Sequence, residues 1–264
     1  MTAPAFSAAA PSPAPAPSLP AWVWVKVFTR LLAIQGAWNY ESLLGNGIGF
    51  CLEPALRYLP GGVHGAAFKE AIARESAYFN AHPYLASVAV GALARAELSG
   101  VPADRIERFR TALCGPLGSV GDRLVWAGWL PFASLISLAA FGLGARPLLV
   151  IGIFLVLYNA GHLALRIWGL RVGWTRGLAV APALGNPLLR RGPAHVARAA
   201  AAAAGVALPL TAARVLDGGP ALLAVVLVGA ALVSILLVRV HGRVEGYKLA
   251  LVLIALFALL SVAR

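Results

Sequence analysis

The strongest constraint on this chain is a succession of long apolar runs in its second half. Val125–Leu143 and Leu148–Trp168 each approach the roughly 20 apolar residues that cross a bilayer, and three further runs follow at about 194–213, 220–238 and 247–263. A helix satisfies its own backbone inside hydrocarbon, so runs of this length specify spanning helices and an all-α, polytopic integral membrane protein. The composition agrees: mean hydropathy is +0.80, 60% of the residues are hydrophobic and 12% are charged.

Charge then orients the chain. Arg166, Arg171, Arg176, Arg190, Arg191 and Arg198 flank apolar runs, as do Arg239, Arg243 and Lys248. By the positive-inside rule these basic segments face the cytoplasm and the C-terminus lies outside. The net charge of +12 does not indicate nucleic acid, because it is not gathered on soluble, aromatic-interleaved segments. Eight of the ten acidic residues lie at or before Asp122, so the charged chemistry belongs to the first half.

That half is divided by polar and Gly/Pro punctuation. Residues 1–20 are rich in Ala, Pro and Ser, lack both a basic residue and an apolar h-region, and read as a flexible tail ahead of one membrane domain, 21–264. Ala21–Ala37 is an amphipathic helix carrying Lys26 and Arg30, suited to the interface or to a partner. Trp38-Asn39-Tyr40-Glu41 precedes Gly45-Asn46-Gly47-Ile48-Gly49, whose glycines allow tight turns or close helix contacts. After a Pro60-Gly61-Gly62 loop, Ala66–Phe79 has helical spacing. Pro83 ends that helix, and residues 84–97 are apolar but too short to span. Two short segments meeting at Phe79-Asn80-Ala81-His82-Pro83-Tyr84 read as a re-entrant hairpin, tolerated only where protein or water lines it. Val101–Arg110 reads as a charged surface stretch and Gly115–Asp122 as a second break, while Tyr158-Asn159-Ala160-Gly161-His162 puts polar groups in mid-span.

Each polar position has a structural and a functional reading. Glu41 beside Asn39 and Trp38 offers hydroxyl acceptors and an apolar face for a sugar ring, or is a carboxylate exposed at a helix end. Asn80 and His82 contact a polar ligand, or Asn80 caps a helix beside a hydrogen-bonded structural histidine. Asp122 is the N-cap of the following helix, or an ionisable group at membrane depth with a functional task. Asn159 and His162, three apart, form a polar seam between helices. No GxSxG, Walker A or HExxH pattern is present, so the residues suggest no catalytic site and no metal or other cofactor. Cys51 and Cys114 lack CxxC spacing and read as small buried hydrophobes.

Taken in order, these pieces resemble the IID component of the mannose–fructose–sorbose family of the bacterial sugar phosphotransferase system. The resemblance is carried by Gln35-Gly36-Ala37-Trp38-Asn39-Tyr40-Glu41 and by Phe79–Tyr84. It continues with Gly115-Pro116-Leu117 through Gly121-Asp122, with Tyr158–His162 through Arg171-Val172-Gly173-Trp174, and with a C-terminal hairpin. It implies a non-catalytic subunit of the inner membrane, with re-entrant hairpins and a pseudo-inverted repeat. Such a subunit pairs with IIC in a higher IIC–IID oligomer and moves a mannose-type hexose by an elevator motion, while IIA and IIB carry the phosphoryl group. It also implies that Asn39, Glu41, Asn80, His82 and Asp122 lie near the sugar. Gly118-Ser119-Val120, Arg123 and Leu130-Pro131 depart from the family pattern. They motivate the alternative of a regulatory or scaffold protein derived from such a subunit.

Overall fold

The computed structural model describes residues 18–215 together with 228, 229 and 232. Nearly all of the expected span at 220–238, the span at 247–263, the basic loop between them and nearly all of the N-terminal tail lie outside the described residues. Within those residues the chain is helical, and its extended pairing is limited to isolated single-residue bridges.

Helix α1 (Ala21–Leu32) has the expected amphipathic form, burying Val23, Val27 and Leu31. Helix α2 (Gly45–Leu56) contains the Gly-rich run, where the glycines serve close contact. A Cβ on Gly47 would sit 2.0 Å from the Ile34 carbonyl oxygen, and one on Gly45 2.1 Å from that of Ala77. Helix α3 (Ala66–Glu75) stops four residues short of Phe79. Helix α4 (Ala86–Leu98) is enclosed on nearly every face, because its Ala, Val and Gly side chains are small and apolar all round.

The remaining helices are long. Helix α5 (Ala103–Gly121) passes without a gap through a π-helical stretch, Asp122–Trp129, into α6 (Leu130–Gly142). The second apparent break is therefore no break. Wide π turns lie immediately ahead of Pro131, whose ring has no N–H to give an α-helical bond and would crowd the carbonyl four residues earlier. Asp122 is inside this rod and caps nothing. Helix α7 (Pro147–Arg176) follows, then the short α8 (Ala181–Leu184) and α9 (Pro187–Val215). Among the described residues, Ala103–Gly142, Pro147–Ala179 and Ala181–Val215 are each long and apolar enough to cross a membrane.

Helices α6, α7 and α9 and the π stretch form one packed group, and α4 lies against α7. The α4–α7 contact is made by small residues: a Cβ on Gly91 would meet the Leu170 carbonyl oxygen at 2.4 Å, and one on Gly173 that of Val88 at 2.2 Å. Such close approach is how helices associate where hydrocarbon offers no hydrophobic drive.

Candidate functional site

The segment between α3 and α4 is where the separate polar pieces meet. It begins at Phe79, fully buried, whose N–H donates to the Ser42 carbonyl at 3.1 Å and whose carbonyl accepts from the Leu44 N–H at 3.0 Å. The strip that receives it is shaped by Asn39. Its Oδ1 accepts from the backbone N–H of Glu41 and of Ser42, each at 2.9 Å, and its Nδ2 donates to Ser42 Oγ at 2.9 Å. An asparagine folding back on its own backbone is a standard turn device, and here it sets Leu43 at a φ of 50°.

Two ion pairs brace the approach. Arg110 pairs with the wholly buried Glu75 and donates to the Glu75 carbonyl at 3.1 Å and the Ala77 carbonyl at 2.8 Å. Arg74 grips Glu97 with two bonds of 2.9 Å. Burial holds the Glu75 carboxyl above the usual carboxylate range, against the opposing pull of Arg110. Arg110, expected on a charged surface, is instead buried with its counter-ion.

His82 is the centre of the segment, with 1% of its surface exposed. Its Nδ1 accepts from the Tyr84 N–H at 3.2 Å. Burial, and secondarily the charge of Arg166, lowers its pKa to about 4, so the ring is neutral near pH 7. A neutral imidazole that accepts at Nδ1 carries its proton on Nε2. That N–H has no partner among the described residues, so His82 presents a buried donor. Gly121 lies against the other side of the residue, where a Cβ would stand 2.2 Å from His82 Cβ. The His82 ring lies 4.9 Å from that of Tyr84 and 5.0 Å from that of Trp126.

From Tyr84 the network crosses to α7. The Tyr84 and Tyr158 hydroxyls hydrogen-bond each other. Asn159 Oδ1 lies 3.1 Å from His162 Nε2, and Arg166 Nε donates to His162 Nδ1 at 3.4 Å. Arg166, 3% exposed, also donates to the Leu31 carbonyl at the end of α1 and to the Pro83 carbonyl at 3.3 Å. Its guanidinium stands 4.7 Å from the Tyr84 ring centroid. A cation in mid-helix is thus satisfied by two carbonyls and an aromatic face. Together these bonds anchor the break to two neighbouring helices.

The sequence candidates fall into different settings. The structure brings the Asn39–Glu41 strip beside Phe79–Asn80 and sets Gly121, next to Asp122, against His82. Glu41, Asn80 and Asp122 are themselves exposed, and Asn39 is partly buried in its turn. Helix α4 has Leu85 at its N-cap and no side-chain cap, so Asn80 does not cap it. Tyr84, Trp126, Tyr158, Arg110 and Arg166 were not singled out by the sequence. The available signal was the four-residue spacing of Tyr158, His162 and Arg166, one face of one helix. Among the described residues no three His, Cys, Asp or Glu side chains are grouped to hold a metal, and both cysteines are free.

The fold and this junction define a helical membrane protein whose polar, Pro-broken segment is held between long apolar helices. The pattern of the PTS system mannose/fructose/sorbose family IID component matches residues 21–192, and the chain belongs to that family. It is 33% identical over 172 residues to the mannose-specific EIID component of Escherichia coli K12, covering 62% of this chain and 59% of the relative. It is 31% identical over 161 residues to the fructose permease IID component of Bacillus subtilis 168, covering 58% of this chain and 56% of the relative. The chain thus spans under two thirds of the length of these relatives. A solved structure of the mannose transporter ManYZ in complex with microcin E492 matches with a TM-score of 0.56 and 27% identity, over 71% of this chain and 69% of that one.

Proposed function

We propose that this chain is the IID membrane subunit of a phosphoenolpyruvate-dependent phosphotransferase system, forming with a IIC subunit the pathway for a mannose-type hexose. The observation that carries the reading is the convergence on Phe79–Tyr84 of the same ordered motifs that mark the family, inside the matched residues 21–192. IIA and IIB partners transfer the phosphoryl group, and this chain does no chemistry itself. It sits in the bacterial inner membrane as a multi-pass protein within a larger IIC–IID assembly. The Phe79–Tyr84 break serves as the turn of a re-entrant hairpin, one half of a pseudo-inverted repeat, in the part that moves as an elevator.

Near the sugar, Glu41 and Asn80 are exposed groups able to bond hydroxyls, and His82 offers its Nε2–H. A polar donor with no protein partner in an apolar setting gives discrimination, since a ligand lacking the matching acceptor leaves it unpaired. Asn39 acts by shaping the strip that carries Glu41, and Asp122 is a further sugar contact. Co-expression with its IIC and IIAB partners in cells lacking mannose uptake is expected to restore phosphoenolpyruvate-dependent uptake. Absence of uptake from a well-expressed, assembled complex overturns the reading. The regulatory alternative would then stand, and it predicts that Glu41→Gln and Asn80→Ala leave the phenotype intact.

A further inference from the structure

An apolar groove of about 420 Å³ runs between α1 and α7 at the edge of the core, with Trp24 and Phe28 on the same face of α1 as Leu31 and Val25 exposed beside them. Trp24, Val25 and Phe28 form one wall, and Ile167, Leu170 and Trp174 the other. Trp24 and Trp174 meet edge to face at 4.6 Å and join the two walls. Arg171 completes the lining and is exposed. Its guanidinium makes no hydrogen bond or ion pair among the described residues. Among the described residues, an apolar slot is therefore paired with one free cation.

Depth adds to this. Counted from Leu148, a straight helix has risen about 30 Å by Ile167, the thickness of the hydrocarbon layer. Arg171 and Trp174 then fall at the level of the headgroups, where tryptophan and arginine are both favoured. We propose that the groove binds one acyl chain of an anionic phospholipid, with the lipid phosphate on Arg171. The methylenes nearest the headgroup enter the slot at its Ile167 end, and the guanidinium fork takes the phosphate oxygens. The chain's own apolar segments match this chemistry less well. Residues 1–17, 220–238 and 247–263 contain no acidic residue that could meet Arg171.

The site is tested on the full chain purified in mild detergent, by native mass spectrometry with added phosphatidylglycerol or phosphatidylcholine. The wild type is expected to retain one phosphatidylglycerol at least tenfold more readily than phosphatidylcholine. Arg171→Gln should abolish the preference, and Val25→Trp, which fills the groove from an exposed position, should abolish retention of both lipids. Arg198→Gln, on α9, should change neither, and thermal melts of all variants establish that they fold. Equal retention by wild type, Arg171→Gln and Val25→Trp overturns the proposal, as does an equal loss in Arg198→Gln. A benzophenone amino acid at Thr29, exposed one turn from Val25 and outside the lining, distinguishes the occupants in intact membranes. Crosslinking to phospholipid supports the lipid site, whereas crosslinking only to polypeptide, from this chain or a partner, overturns it. These outcomes are independent of sugar uptake.

Discussion

Phe79–Tyr84 and Gly115–Asp122 look alike in sequence, each placing glycine, proline or polar groups ahead of an apolar run, and the chain treats them in opposite ways. The first is a true break. Its backbone groups are taken up by Ser42, Leu44, Leu117 and Arg166 from other parts of the molecule. The second is absorbed into a rod of 40 residues, Ala103–Gly142, with π turns ahead of Pro131. The difference lies in available partners. Helix breaking costs backbone hydrogen bonds in hydrocarbon, and it persists only where neighbours replace them. At Gly115 and Gly118 nothing lies within 4 Å of where a Cβ would stand, so that face of the rod is open among the described residues.

Removing a brace should damage the true break most. Glu75→Ala leaves Arg110 buried without its anion, and a loss of about 3–5 kcal/mol in unfolding free energy is expected, the range for breaking a buried pair from one side. Chemical denaturation in detergent reads it, and a loss below about 1 kcal/mol would mean that the pair does not hold the break.

The rod itself offers the next contrast. Gly121→Ala forces a methyl into His82 and should cost about 1–3 kcal/mol. Gly118→Ala, one turn earlier in open space, should gain about 0.5–1 kcal/mol from helix propensity. Thermal melts that gave both substitutions the same sign would remove the distinction between the two faces of the rod.

Acidity should act on the break through His82. Its folded pKa, about 4, lies below the ordinary value of 6.5. The stability it contributes is therefore complete above about pH 6.5 and is lost as pH falls through about 4. The unfolding midpoint of the wild type should drop across that window, and His82→Gln should flatten the drop. An unchanged slope would mean that the ring is not held neutral.

The smallest effect is expected at Asp122, exposed on the continuous rod. Asp122→Asn should shift stability by less than about 0.5 kcal/mol. A larger shift in the melt would show that the rod depends on this carboxylate after all.

Much of the architecture was legible in advance. The spans within 125–168 and 194–213, the amphipathic α1 and the break at Pro83 all follow from hydropathy, helical period and the missing proline N–H. Boundaries were less so: α3 ends at Glu75 because Phe79 pairs with a strip far away in sequence, which no local pattern reports. Arg166 read as a flanking charge, since its satisfaction by the Leu31 and Pro83 carbonyls depends on how α1 and α4 pack against α7. Arg110 was misplaced on the surface for the same reason, its anion lying on another helix.

The sequence by itself determined that this chain is a helical membrane protein, which family its ordered motifs belong to, and where its polar residues are concentrated. Those properties reside in the length of apolar runs and in residue order. Tertiary structure alone decided which polar stretch interrupts a helix, which charges are buried in pairs, and that His82 faces inward with a free donor. Each of these depends on whether a distant segment supplies a carbonyl, a counter-ion or close-packed atoms, and that is a property of contacts rather than of composition.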